Sequence, residues 1–154
     1  MHPTAFISCQ VFFTLLDFHL LQLQPQQPSY IYEILDVGSQ DVNGNQYDCI
    51  QSTPFHIHQK YKYTGLDFDI NAANVDVTMN EKGDWPFSTG KDINKNFDII
   101  ISTSALEHDE FFWETFMNMA YSLKPNGFIY INAPSSAKTH RYPIDNWRFL
   151  SDAG

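Results

Sequence analysis

Cysteine is scarce: Cys9 and Cys49 are the two in 154 residues, and they stand outside any Cys-x-x-Cys spacing. That argues against a disulfide framework and a structural zinc site, and it makes a reducing, cytoplasmic setting the expectation. Positive charge is scarce as well. Nine Lys and Arg against 18 Asp and Glu leave a net charge of −9, with an isoelectric point near 4.8. Generic attraction to phosphate backbones or anionic membranes has no support, so neither nucleic acid nor a membrane is an expected partner. Phosphate-cradling glycine loops are missing too. No G-x-x-x-x-G-K-[ST] run occurs, and Gln40 stands where a G-x-G-x-x-G fingerprint needs its second glycine. The start, Met1-His2-Pro3-Thr4, has no Lys or Arg, and the apolar stretch Ala5 to Leu23 is interrupted by Gln10, Asp17 and His19. It therefore reads as a soluble helix rather than a signal peptide or a membrane span.

What is present suits one globular core: 43% of the residues are hydrophobic and 16% aromatic. Phe6, Cys9, Phe13, Leu16 and Leu20 recur at steps of three and four, which predicts an amphipathic helix with Thr4 as its N-cap. The polar, proline-containing run Gln22 to Ser29 reads as a linker, so residues 1–29 form a leading helix and linker, and 30–154 the main domain.

From Tyr30 the pattern alternates. Strands are predicted at Tyr30 to Val37, Tyr63 to Phe68, Asn74 to Thr78, Phe97 to Ser102 and Phe128 to Asn132. The isoleucine run in Phe97 to Ser102 suits a strand covered on both faces. Phe112, Phe116, Met119 and Leu123 mark a helix over Glu110 to Leu123 that stops at Lys124-Pro125-Asn126-Gly127. Strand, helix and strand in this order predict an α/β fold: a Rossmann-like, doubly wound, mostly parallel sheet with helices on both faces. Ligands bind such sheets beyond the carboxyl ends of the strands.

The residues after the strands carry the chemistry. Gly38 follows the first strand directly and lets the backbone turn tightly and approach a ligand, while Asp36 can accept hydrogen bonds from a cationic or amine group. Asp67 ends the second strand, where a carboxylate can accept two ribose hydroxyls at once; capping of a solvated loop by Asp67 and Asp69 is the other reading. After the fifth strand, His140, Arg141, Tyr142, Asp145 and Arg148 crowd beside Pro143 and Trp147. They form either an acceptor wall, with Arg141 or Arg148 holding a carboxylate or phosphate, or an internal ion-pair knot in which Asp145 pins the loop. His56-x-His58 has no third ligand at a recognisable spacing, so no metal site is expected. The aromatic run Phe111-Phe112-Trp113 reads as helix packing.

In order and spacing, ILDVGSQDVNG (Ile34 to Gly44), YTGLDF (Tyr63 to Phe68), DWPF (Asp84 to Phe87), FDIIISTSALEH (Phe97 to His108) and LKPNGFIYINAPS (Leu123 to Ser135) resemble the class I S-adenosylmethionine-dependent methyltransferases. The resemblance covers roughly residues 30 to 154. It extends to a subgroup with an Asp-Val-Gly-Ser first motif and a closing segment like His140 to Phe149. It implies that Asp36, Gly38 and Ser39 line the methionine part of S-adenosylmethionine, Asp67 the ribose, and Asp84 and Trp85 the adenine. Ser102 and Ser104 would close over the methionine, and Glu107, Tyr142, Asp145 and Arg148 would meet the acceptor. His108, His140 and Arg141 become the catalytic candidates. The implied activity is methyl transfer to an oxygen or nitrogen of a small-molecule or saccharide-like acceptor. Family members end with two further strands, the last antiparallel; the sequence shows neither, so a C-terminally truncated domain with an exposed sheet edge is expected. A non-catalytic methyltransferase-like module and a Rossmann-type oxidoreductase are the rival readings.

Overall fold

The computed structural model describes residues 3–23, 29–41, 44–79, 85, 88–89, 92–93, 96–141 and 144–152. Five parallel strands form its main sheet: β1 (Ile31–Val37), β2 (Lys60–Asp67), β3 (Val77–Thr78), β6 (Phe97–Thr103) and β7 (Leu123–Asn132). Their order is β3-β2-β1-β6-β7, which is 3-2-1-4-5 when the strands of this sheet are counted along the chain. A separate two-stranded antiparallel pair joins β4 (Ser88–Thr89) and β5 (Asp92–Ile93). The doubly wound parallel sheet expected from the alternation is the observed one.

The centre of the sheet explains the isoleucine run. β6 lies between β1 and β7, and along it every residue but Asp98 is buried. Ile34, Ile99 and Ile101 face a core shared with Cys9, Phe13 and Leu16 of α1 (Pro3–Leu23), Cys49 and Ile50 of α2 (Gln46–Gln51), and Phe55 of α3 (Pro54–His58). Leu35, Val37 and Ile100 face the other way, toward Met119 of α4 (Phe112–Ser122) and Trp85. The period-two alternation of β1 thus sends Asp36 to the α1 side, two residues beyond Ile34.

Several expectations are corrected. The first helix starts at Pro3, so Thr4 lies inside it rather than capping it. Cys9, Phe13 and Leu16 are buried as the stripe predicts, but the opposite face is apolar rather than polar: Ile7, Val11, Leu15 and Phe18 are exposed. By length and composition this helix could cross a membrane, with a mean hydropathy of 1.5 over its most apolar window. Asp17, which interrupts that apolar run, ties the helix to the domain instead of to solvent. Its carboxylate receives His58 Nδ1 at 2.7 Å and Gln59 Nε2 at 2.8 Å. The helical segment after the first loop, which shows no periodicity in the sequence, is the pair of short helices α2 and α3. Asn45 caps the first by accepting from Asp48 N, and Pro54 opens the second. In α4 Phe116 is exposed and Met119 is the buried member of the predicted stripe. β2 begins at Lys60 and β3 at Val77, and β7 pairs from Leu123, though its register against β6 jumps from Leu123 to Phe128. The skipped residues include Asn126 at φ +65°, a left-handed angle that asparagine tolerates.

Candidate functional site at the carboxyl ends of the strands

The loop after β1 is held by backbone bonds. Gly38 takes φ +79°, and its N–H donates to Leu66 O at 2.9 Å, with Ser39 N following at 3.3 Å. A Cβ at Gly38 would fall 2.3 Å from Ala105 Cβ, so the close approach this glycine permits is that of the loop after β6. Gly65, beside Asp36 in the β1–β2 register, is equally constrained: a Cβ there would lie 1.8 Å from Asn74 O.

These approaches enclose polar atoms that the protein itself leaves unmatched. Asp36 is 2% exposed. One of its oxygens accepts from the Tyr63 hydroxyl, while Oδ1 has no hydrogen-bond partner. Burial raises its pKa to about 7, against the lowering effect of the Tyr63 bond, and the nearby Asp67 charge adds to the rise. Ser39 Oγ, Thr103 Oγ1 and Glu107 Oε2 are likewise buried without partners. Such atoms are uncommon in folded proteins, and here they gather around the ends of β1 and β6.

Asp67 uses both oxygens on backbone: Oδ2 accepts from Gln40 N at 3.0 Å and Oδ1 from Phe68 N at 2.7 Å. It joins the first loop to the end of β2, and each oxygen retains a lone pair for a further donor. Ser102 is buried, and its hydroxyl donates to Val37 O at 2.9 Å, stitching β6 to β1. Ser104 takes φ +53°, in the left-handed region that a non-glycine residue seldom adopts, and its N–H donates to Asn132 O at 2.8 Å. Trp85 is buried in the apolar core on the α4 side of the sheet. Asp84 and Tyr142 lie outside the described residues.

The closing segment folds back over the loop after β6. Glu107 O accepts from Asn146 N at 2.8 Å and Trp147 N at 3.2 Å, and Trp147 Nε1 donates to Asp109 O at 2.7 Å. Phe112 meets both Trp147 and Phe149 edge to face. Arg148 grips Asp145 bidentately, at 2.5 and 2.7 Å, and Asp145 Oδ2 also accepts from His140 N at 2.8 Å. Arg148 thereby holds the Asp145 carboxyl well below the usual carboxylate range. Of the two readings of this constellation, the ion-pair knot describes Asp145 and Arg148, whereas Arg141 is exposed.

The knot brings His140 against His108, ring centroids 4.9 Å apart, and both beside Glu107. Glu107 is 1% exposed and burial raises its pKa, opposed by a hydrogen bond from its own backbone N–H and by His108, His140 and Arg148. Tyr63 meets Asp36 through the β1–β2 register, which no local sequence pattern states. A cavity of about 310 Å³ lined by Tyr47, Tyr61, Tyr63, Asn74 and Asp76 opens on that side. Another, of about 710 Å³, lies toward the amino ends of the strands beside Glu33, Lys62 and Lys124, away from the orphaned atoms.

No family model and no curated protein matches the sequence. Among solved structures the chain is similar to one from Methanococcus maripaludis, described as a "putative S-adenosyl-L-methionine-dependent methyltransferase". The TM-score is 0.51 at 14% identity, and the match covers 85% of this chain and 58% of that one. The chain thus spans less than two thirds of its structural neighbour. The likeness shows a fold: an α/β, all-parallel five-stranded sheet in the order 3-2-1-4-5, resembling the Rossmann-like arrangement of methyltransferases.

Proposed function

We propose that the chain binds S-adenosylmethionine at the carboxyl ends of β1, β2 and β6. From there it transfers the methyl group to an oxygen or nitrogen of a small-molecule or saccharide-like acceptor. The observation that carries this reading is the pair of buried, unpartnered atoms Asp36 Oδ1 and Ser39 Oγ on either side of Gly38. They fit the cofactor chemically: a buried carboxylate suits an amino cation, and a hydroxyl can give or take a hydrogen bond. Asp67, with its remaining lone pairs at the end of β2, suits the ribose diol. The cofactor supplies an electrophilic methyl group, so the chain needs no covalent nucleophile.

What the residues contribute is alignment and proton handling. Orienting two reactants can lower a barrier by up to roughly 7–11 kcal/mol, which is sufficient reason to build a preformed crevice. His108 Nδ1 contacts Ile144 O at 2.5 Å. A carbonyl only accepts, so Nδ1 carries the hydrogen, and in the neutral ring Nε2 keeps its lone pair. That nitrogen can take the proton of an acceptor hydroxyl. His140 stands against it as a second base, and Arg141, whose guanidinium is exposed, can hold an anionic part of the acceptor.

Calorimetric titration with S-adenosylhomocysteine, beside NAD as control, tests the reading. Binding of the former alone supports it, and Asp67→Ala should then weaken affinity at least about tenfold, the loss of two charge-assisted bonds. Binding of NAD alone favours an oxidoreductase, and binding of neither by a folded chain favours the non-catalytic module.

A further inference from the structure

We infer that Glu107, His108 and His140 form a binding site for a zinc-class divalent cation, with two imidazole nitrogens and one carboxylate oxygen as ligands. One potential ligand atom from each residue lies within 4.8 Å of the other two. The three come from two loops: Glu107 and His108 from the 3₁₀ turn after β6 (Leu106–His108), His140 from the segment after β7. Spacing in the sequence therefore does not reveal the set, whereas the Asp145–Arg148 knot and the backbone bonds to Glu107 O assemble it.

Two further observations point to an ion. Glu107 Oε2 is buried and has no partner, while Oε1 stands 3.9 Å from His108 Nε2. The carboxylate has its own backbone N–H as a donor, but a buried oxygen left without a partner is costly, and a divalent ion would supply the one that Oε2 lacks. Second, both rings are already fixed as metal ligands usually are, with one nitrogen hydrogen-bonded to a backbone carbonyl. His108 Nδ1 donates to Ile144 O, and His140 Nδ1 meets Lys138 O at 3.1 Å. Each Nε2 is left with its lone pair. Two histidines and a carboxylate with an open fourth position match a known class of zinc site.

Tetrahedral bonds of about 2.0–2.2 Å set donor atoms roughly 3.4 Å apart, so the three must draw together by up to about 1.4 Å. His140 is the exposed member of the set and lies on a loop, so its ring can supply that movement. The fourth position is left for water or an oxygen of a bound molecule; with the methyl-transfer reading that oxygen belongs to the acceptor, and an ion holding both Nε2 lone pairs would acidify its hydroxyl in place of the free histidine bases. The site itself stands independently of that reading, because metal binding is measured without cofactor.

The test is titration of the untagged, chelator-treated chain with zinc by calorimetry, and with cobalt by visible absorption. One equivalent is expected, with the visible bands of a four- or five-coordinate cobalt ion. His140→Ala should weaken zinc binding at least tenfold, and Glu107→Gln should do the same if it folds. The double substitution His56→Ala with His58→Ala should leave binding unchanged, since His58 pairs with Asp17 and His56 with Tyr61. No binding by the folded chain overturns the assignment. So does binding that survives His140→Ala or disappears with His56 and His58.

Discussion

Asp98 and Asp36 stand on neighbouring strands of one sheet, the first near the amino ends and the second near the carboxyl ends, and their surroundings are opposite. Asp98 is saturated: Oδ1 accepts from the Tyr30 hydroxyl at 2.5 Å, while Oδ2 accepts from Glu33 N and from Lys124 Nζ, each at 2.8 Å. It links the starts of β1, β6 and β7 with a cation and two neutral donors. Asp36 has a single donor, Tyr63, and an oxygen with none. One end of the sheet uses its carboxylate to hold strands together. The other carries an unmet demand for positive charge, which Glu107 repeats on the next loop. A fold under selection for stability alone would match both ends, so the imbalance points to where a ligand completes the structure.

The comparison breaks most visibly in a pH series. Asp36 has a pKa raised to about 7 by burial in the folded chain, against an ordinary value near 3.9 when unfolded. Between about pH 4 and pH 7 the folded chain keeps a proton that the unfolded chain has released. The stability tied to that proton is complete below about pH 4 and is lost as pH rises through about 7, a swing of up to about 4 kcal/mol. Asp36→Asn removes the titration, so its stability in urea relative to the parent chain should climb across that window. Parallel curves would place the proton elsewhere. Asp98→Ala should act the other way at neutral pH, lowering stability by about 2–3 kcal/mol through the stranded Lys124 and Glu33 groups. A neutral result would show that solvent already serves those donors.

The sequence revealed the strands better than their registers. The isoleucine run at the centre of Phe97–Thr103 states its burial in its composition, because the middle of a strand packed on two faces is apolar on both. Helices α2 and α3 escaped because six and five residues do not complete two turns, leaving no periodicity to read. The capping pair Asn45 and Asp48 was the available signal. At the site, Asp36, Ser39 and Asp67 could be picked out because they follow strands. Tyr63 could not, since facing Asp36 depends on a register that no local pattern encodes. Glu107 and His140 were singled out separately, but their meeting depends on a closing segment held largely by backbone bonds to Glu107 O, which carry no side-chain signature.

The smallest effect concerns the knot that brings the histidines together. Arg148 depresses the Asp145 carboxyl, so the pairing contributes above the ordinary carboxylate value and is lost only as pH falls through a much lower one. Arg148→Ala should move global stability little, because the pair pins a segment docked on the loop after β6 rather than part of the sheet core, although the Asp145 side chain is 2% exposed. Its effect should be local. In a chain carrying Trp113→Phe, where Trp85 is buried in the core and adds a constant background, the change in fluorescence of Trp147, whose Nε1 donates to Asp109 O, reports whether the closing segment is docked. With Arg148 present, docking should persist well into acid. With Arg148→Ala, the loss of docking should move up toward pH 4, where Asp145 protonates without its cation. An acid transition that does not move would assign the docking to the two backbone bonds on Glu107 O and to the Phe112, Trp147 and Phe149 rings. The ion pair would then orient His140 without holding the segment.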